Sequence, residues 1–154
     1  MSIAFRLNGA PVTLDVAEDV PLLAALRGPA GLSGPHFGCA AEACGACAVL
    51  LDGRPTMSCA LPSGSVAGRE VTTVEGLGPP EAPHPLQAAF LAEQAGQCGY
   101  CLPGILVAAA ALLRDDPAPD ARAVLQALDP HLCRCGSHNR IIRAVLRAAR
   151  EMAA

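Results

Sequence analysis

Eight cysteines stand at positions 39, 44, 47, 59, 98, 101, 133 and 135 of a 154-residue chain, and they fall into two groups of four. The first group is Cys39-x4-Cys44-x2-Cys47, with Cys59 following after eleven intervening residues. Three thiolates on one loop and a fourth returned by a later strand end make the spacing that holds a [2Fe–2S] cluster of the plant type. A cluster core is negatively charged, so its loop must turn backbone N–H groups toward the sulfurs. Gly38 and Gly45 suit such a loop. A four-thiolate zinc site is the competing reading. Zinc ribbons, however, prefer two well-separated C-x2–4-C knuckles, and here three ligands crowd into one loop. Disulfides are disfavoured, because four cysteines between Cys39 and Cys59 could not all pair without strain and the sequence shows no export signal.

The second group is Cys98-x2-Cys101 with Cys133-x-Cys135. Each half precedes a predicted helix, so both would sit at helix N-termini, whose partial positive charge favours an anionic cluster. By itself this quartet suits zinc as well as iron–sulfur, since all-thiolate sets serve both. Cys98-Gly99-Tyr100-Cys101 could also be taken for a thioredoxin-type redox pair, but no βαβ pattern precedes it and Cys133 and Cys135 would be left idle. With one cluster already indicated, a second is the simpler reading.

The elements that must position these thiols follow from the apolar pattern. Residues 3–16 read as a β-hairpin around Asn8-Gly9. Asp19 is expected to cap a short helix over Leu22 to Leu26, with Pro21 in its first turn and Gly28 as its stop. Gly31 to Gly45 reads as a loop, Ala48–Leu51 as a strand ending in an Asp52-Gly53 turn, and Glu70–Val74 as another strand. The Pro/Gly-rich stretch from Gly76 to Pro83 marks a boundary. Beyond it lie four helical patterns: Pro85 to Gly96, one opened by Pro103 through Leu113, Ala121 to Leu128, and Asn139 to about Met152. The expected organisation is α+β, with residues 1–77 as a strand-dominated unit, 78–84 as a linker and 85–154 as a helical bundle.

Composition excludes several classes. The formal charge is −3, and no basic run offers a grip on nucleic acid or an anionic membrane. The longest apolar stretch, Ile105 to Leu113, is half a membrane span, so direct membrane insertion is not expected. The first residues lack the basic and apolar regions of a signal peptide, which points to the cytoplasm, with export on a partner's signal left open. His36, His84, His131 and His138 read as surface, cap or loop residues, because no ligand position is vacant for them. Arg134, between two cysteines, is placed either to offset cluster charge or to point to solvent, the first being slightly favoured, and Tyr100 to pack around the cluster.

Taken together, Gly38-Cys39-x4-Cys44-Gly45-Ala46-Cys47, Ser58-Cys59, Gln97-Cys98-Gly99-Tyr100-Cys101-x-Pro103-Gly104 and Leu132-Cys133-Arg134-Cys135-Gly136 resemble the small iron–sulfur subunit of the molybdenum hydroxylases, the xanthine oxidase family. The stretches from Ala82 to Cys98 and from Cys133 to His138 are most similar to the small subunits of nicotinate dehydrogenase and isoquinoline 1-oxidoreductase. The resemblance implies a ferredoxin-like β-grasp domain followed by a four-helix bundle, each with a [2Fe–2S] cluster. Cys39, Cys44, Cys47 and Cys59 would hold one, and Cys98, Cys101, Cys133 and Cys135 the other. It further implies that Gln97 and Cys135 face a molybdopterin cofactor in a large partner subunit. Electrons would leave through the β-domain cluster to a flavoprotein or a cytochrome. The chain would then be a non-catalytic electron-transfer subunit of an oxidoreductase acting on a heteroaromatic compound or an aldehyde. Ala40 and Glu42 stand where the family usually has glycines, which leaves open the loop geometry and the potential of the outer cluster. A free-standing two-cluster ferredoxin and a zinc-structured interaction protein are the alternatives.

Overall fold

Ile3, Phe5 and Leu7 alternate with exposed residues along β1 (Ser2–Leu7), and this period-2 pattern puts one face of the strand into the core. A computed structural model describes residues 2–154. In it β1 turns at Asn8-Gly9 into antiparallel β2 (Ala10–Asp15), with Leu7 opposite Ala10. The remaining strands are β3 (Ala48–Leu51), β4 (Arg54–Met57) and β5 (Glu70–Thr72), and the sheet order is β2-β1-β5-β3-β4. Among the described residues only the β1–β5 pairing is parallel. Helix α1 (Leu22–Arg27) buries Leu22, Ala25 and Leu26 with Ile3, Phe5, Val49, Val66 and Val71.

Four helices follow: α2 (Pro85–Ala92), α3 (Leu102–Asp115), α4 (Ala121–Leu128) and α5 (His138–Ala153). Leu86, Phe90, Ile105, Leu113, Val124, Ile141 and Val145 meet in a second core between them. Strand β3 is buried at all four positions, which explains its unbroken Ala-Val-Leu-Leu run. Val49 and Leu51 join the α1 core, while Ala48 and Leu50 meet Val107 and Ala111 of α3. Helix α3 therefore lies against the sheet, and each buried Val or Leu there contributes roughly 1.5–3 kcal/mol. Among the described residues no helix is long and apolar enough to cross a membrane.

Several local expectations are corrected. Asp19 lies in a turn, and α1 starts after Pro21 with no side-chain cap. The pre-set φ of that proline, rather than an Asp19 carboxylate, begins the helix. Strand β5 stops at Thr72 and gives way to a 3-10 turn over Val74–Gly76. Helix α2 ends at Ala92, short of Gly96, because Gln94 takes the left-handed conformation. Strand β4 has no counterpart among the expected elements; Pro55 within it is tolerated because β4 is an edge strand.

Candidate metal centres

The loop after α1 carries Cys39, Cys44 and Cys47 and delivers the chain into β3 at Ala48. Because β3 and β4 pair with Ala48 opposite Met57, the hairpin brings the chain back beside its start. Ser58 then donates its Oγ hydrogen to the Cys47 carbonyl at 2.7 Å, and the Cys59 thiol lies against that of Cys47. The strand pair is thus the device that returns the fourth thiol. Cys47 and Cys59 are buried, Cys44 is half-buried and Cys39 is exposed.

Electrostatics divide this quartet. The N–H groups of Ala41 and Ala43 each donate to Cys39 Sγ at 3.3 Å and, with help from the Cys44 thiol, lower its pKa to about 7. Burial pushes the Cys47 thiol up to about 11. The donors aimed at Cys39 require turns at Ala40 and Glu42, where φ is +56° and +55°. Both residues adopt the left-handed backbone that glycine takes most readily, and the loop makes these turns without it.

The second quartet comes from two helix starts. Cys101 is the N-cap residue of α3, and Cys133 and Cys135 lie just ahead of α5, whose N-cap is Ser137. Cys98 and Cys135 have their sulfurs 3.5 Å apart, and the Cys101 thiol lies against that of Cys133. The N–H of Tyr100, followed by the Cys135 thiol, lowers the Cys98 pKa. Burial raises Cys101 to about 12. At Cys133 burial pulls upward, but the Ser137 N–H and the Cys101 thiol outweigh it and the net shift is down. Gln97 Nε2 donates to the Cys135 carbonyl at 3.2 Å, which brings together the two residues expected to face a pterin.

The two quartets share a cavity of about 390 Å³, lined by Cys39 and Cys44 from one and by Cys98, Cys101 and Cys133 from the other. Contacts across it are close. The Leu132 N–H donates to the Cys44 carbonyl at 3.0 Å. His36 stacks on Tyr100 with ring centroids 4.4 Å apart, and its Nδ1 lies 2.8 Å from the Tyr100 carbonyl oxygen. The Tyr100 hydroxyl donates to the Phe37 carbonyl. Gly45, at φ +75°, takes the His131 ring where a side chain would stand, so that a Cβ there would overlap His131 Nδ1. A Cβ on Gly104 would likewise overlap the Gly45 carbonyl oxygen.

His131 is therefore more than a loop residue. It is 4% exposed, and burial lowers its pKa. Nothing in the spacing of the histidines announces this, because the ring is placed by a glycine eighty-six positions away. Arg134 is exposed at the cavity rim, and Tyr100, 49% exposed, packs on His36. His84 caps α2, and His138 is the exposed first residue of α5.

The donor set fits iron–sulfur chemistry. All eight cysteines are free thiols, and they approach in twos: Cys39 with Cys44, Cys47 with Cys59, Cys98 with Cys135, Cys101 with Cys133. A two-iron cluster needs two thiolates on each iron, whereas zinc needs four round one point. Among the described residues no three His, Cys, Asp or Glu side chains gather as ligands of a single ion.

Comparison with known proteins agrees with this chemistry. Residues 5–72 match the 2Fe-2S iron-sulfur cluster binding domain, and residues 73–146 match the [2Fe-2S] binding domain. A nicotinate dehydrogenase subunit of Pseudomonas putida is 48% identical over 96% of this chain and 94% of its own length. The isoquinoline 1-oxidoreductase alpha subunit of Brevundimonas diminuta is 49% identical, over 98% and 99%. A chain of the crystal structure of quinoline 2-oxidoreductase from Pseudomonas putida 86 superposes with a TM-score of 0.95 at 35% identity, covering 99% of this chain and 96% of that one.

Proposed function

Because the chain belongs to the small iron–sulfur subunits of the molybdenum hydroxylase family, we propose that it relays electrons one at a time through two [2Fe–2S] clusters. Cys98, Cys101, Cys133 and Cys135 hold the inner cluster within a helical unit (residues 85–154). Cys39, Cys44, Cys47 and Cys59 hold the outer one within a β-grasp unit (residues 1–77). Each cluster, when bound, supplies a one-electron redox site whose potential depends on hydrogen bonds to its sulfurs and on exposure.

This chain's residues do the rest. The starts of α3 and α5 direct partial positive charge at the inner thiolates. The N–H groups of Ala41 and Ala43 do the same for Cys39. Buried Cys47 and Cys59 keep water from the inner side of the outer quartet. Gln97, exposed and anchored on the Cys135 carbonyl, reaches toward a molybdopterin cofactor in the large subunit. Electrons then leave from the exposed Cys39 side to a flavoprotein or cytochrome. The named substrates of the relatives, nicotinate and isoquinoline, favour a heteroaromatic substrate for the complex over an aldehyde.

The observation that carries this reading is the shared cavity, which sets two thiol quartets side by side within one chain. Its test is metal analysis of the tagged chain drawn gently from its host. About four irons per chain are expected, together with molybdenum and a large subunit. Iron without molybdenum would favour a free-standing ferredoxin shuttle. Zinc in place of iron would overturn both.

A further inference from the structure

Among the described residues five without a glycine's freedom adopt positive φ: Asn8, Ala40, Glu42, Asp52 and Gln94. Asn8 and Asp52 lead hairpin turns completed by Gly9 and Gly53, where this geometry is ordinary. Gln94 closes the end of α2. Ala40 and Glu42 serve neither purpose. They lie two apart in one loop, and both side chains are exposed, so no burial compensates a conformation that a Cβ disfavours.

The two share one consequence. The residue after each sends its N–H to the same atom, with Ala41 and Ala43 both 3.3 Å from Cys39 Sγ. A left-handed residue rotates the peptide that follows it, and here both rotations converge on the exposed sulfur of the quartet.

We propose that Ala40 and Glu42 are positioning residues for electron transfer: their left-handed backbone aims two N–H donors at Cys39 and thereby holds the outer cluster at a higher potential than a relaxed loop would give it. The inference rests on the assignment of Cys39, Cys44, Cys47 and Cys59 to a [2Fe–2S] cluster. A reduced cluster carries one more negative charge than the oxidised form and gains more from each N–H, so donors at sulfur favour the added electron. At Cys39 they act on the ligand that solvent would otherwise reach. The chemistry lies in the backbone, so the carboxylate of Glu42 is incidental to it.

The test is a redox titration, followed by electron paramagnetic resonance, of the iron-loaded chain in complex with its large subunit. Ala40→Val and Glu42→Val bring in β-branched residues that cannot hold this backbone. Each should lower the midpoint of one cluster, leaving the oxidised form at least ~threefold in excess at the wild-type midpoint, about 28 mV at ~59 mV per decade. The other cluster's midpoint stays in place and serves as the internal reference. Ala40→Gly, Glu42→Gly and Glu42→Gln should titrate as wild type.

Unchanged midpoints in both valine variants would overturn the proposal, as would a glycine variant that falls as far as valine. A Glu42→Gln midpoint that falls as far as that of Glu42→Val would place the effect in the side chain rather than in the backbone, since loss of the carboxylate charge by itself raises a midpoint, and would also overturn it. If the valine variants assemble no cluster, Ala40→Ser and Glu42→Ser take their place and a smaller drop is expected. Cluster loss in the serine variants too, with the glycine variants intact, would make the turn purely structural and refute the inference. A wild-type complex without a two-iron signal from this quartet would instead remove the cluster assignment on which the inference stands.

Discussion

The backbone N–H of Leu132 and the carbonyl of Cys44 are joined by a 3.0 Å hydrogen bond, so the two thiol quartets are linked directly through the backbone beside or within each. Leu132 precedes Cys133, and its own side chain is 61% exposed. Leu132→Pro deletes the donor, whereas Leu132→Ala keeps it and removes little packing. We expect Leu132→Pro to cost at least about 1 kcal/mol in urea unfolding and Leu132→Ala to stay within about 0.5 kcal/mol. Electron exchange between the clusters, followed after rapid reduction, should slow in the proline variant alone. Equal behaviour of the two variants would deny the bond any role.

Gly104 lets α3 approach the first cysteine loop closely, and an added methyl would overlap the Gly45 carbonyl. Gly104→Ala should therefore destabilise by about 1–3 kcal/mol, the usual cost of overpacking, and reduce retained iron. Gly45→Ala combines a clash with His131 and an unfavourable φ. In a His131→Ala background the clash disappears and the backbone cost remains. A double-mutant cycle should show Gly45→Ala costing less there, with a coupling of about 0.5 kcal/mol or more. Strict additivity would mean that the His131 ring does not fill the space above Gly45.

These contacts mark the limit of what the sequence makes legible. Thiol spacing and apolar periodicity are local patterns, so both quartets, the Asn8-Gly9 hairpin and the helices can be read directly. Arg54-Pro55-Thr56-Met57 carries no alternation and contains a proline, and only its edge position makes it a strand. The burial of His131 depends on Gly45 and the helix packing that brings the two together, a relation between distant residues that no spacing encodes. The left-handed turns at Ala40 and Glu42 are hidden for the opposite reason, because their residue types argue against the conformation they adopt.

Cys101 tests whether the two proposed clusters are separate. It belongs to the inner quartet and its thiol is raised to about 12 by burial, so without metal it stays protonated at neutral pH. Cys101→Ala should abolish one cluster and lower iron from about four to about two per chain, leaving the outer cluster's signal intact. Cys47→Ala should do the converse. If either substitution removed all the iron, the quartets would have to assemble as a single unit.

His84 gives helix α2 a pH-dependent start. Its Nδ1 accepts the Leu86 N–H at 3.1 Å, while Gln87 Oε1 accepts the His84 N–H at 2.8 Å, a reciprocal cap. Only a ring with an unprotonated Nδ1 can accept in this way, and burial lowers the folded pKa below the ordinary 6.5. The folded state thus binds fewer protons than the unfolded one. Its contribution is complete above about pH 6.5 and is lost as the pH falls from there through the folded value. His84→Asn retains an accepting cap without a titrating group. Urea unfolding of wild type and His84→Asn should differ little near about pH 8. At about pH 5.5 wild type should have lost roughly 0.5–1 kcal/mol relative to the variant, toward the low end of cap energies because the ring is half-exposed. All other titrating groups are common to both proteins and cancel in the difference. A difference that does not change between the two pH values would show that His84 does not hold the helix start through its imidazole.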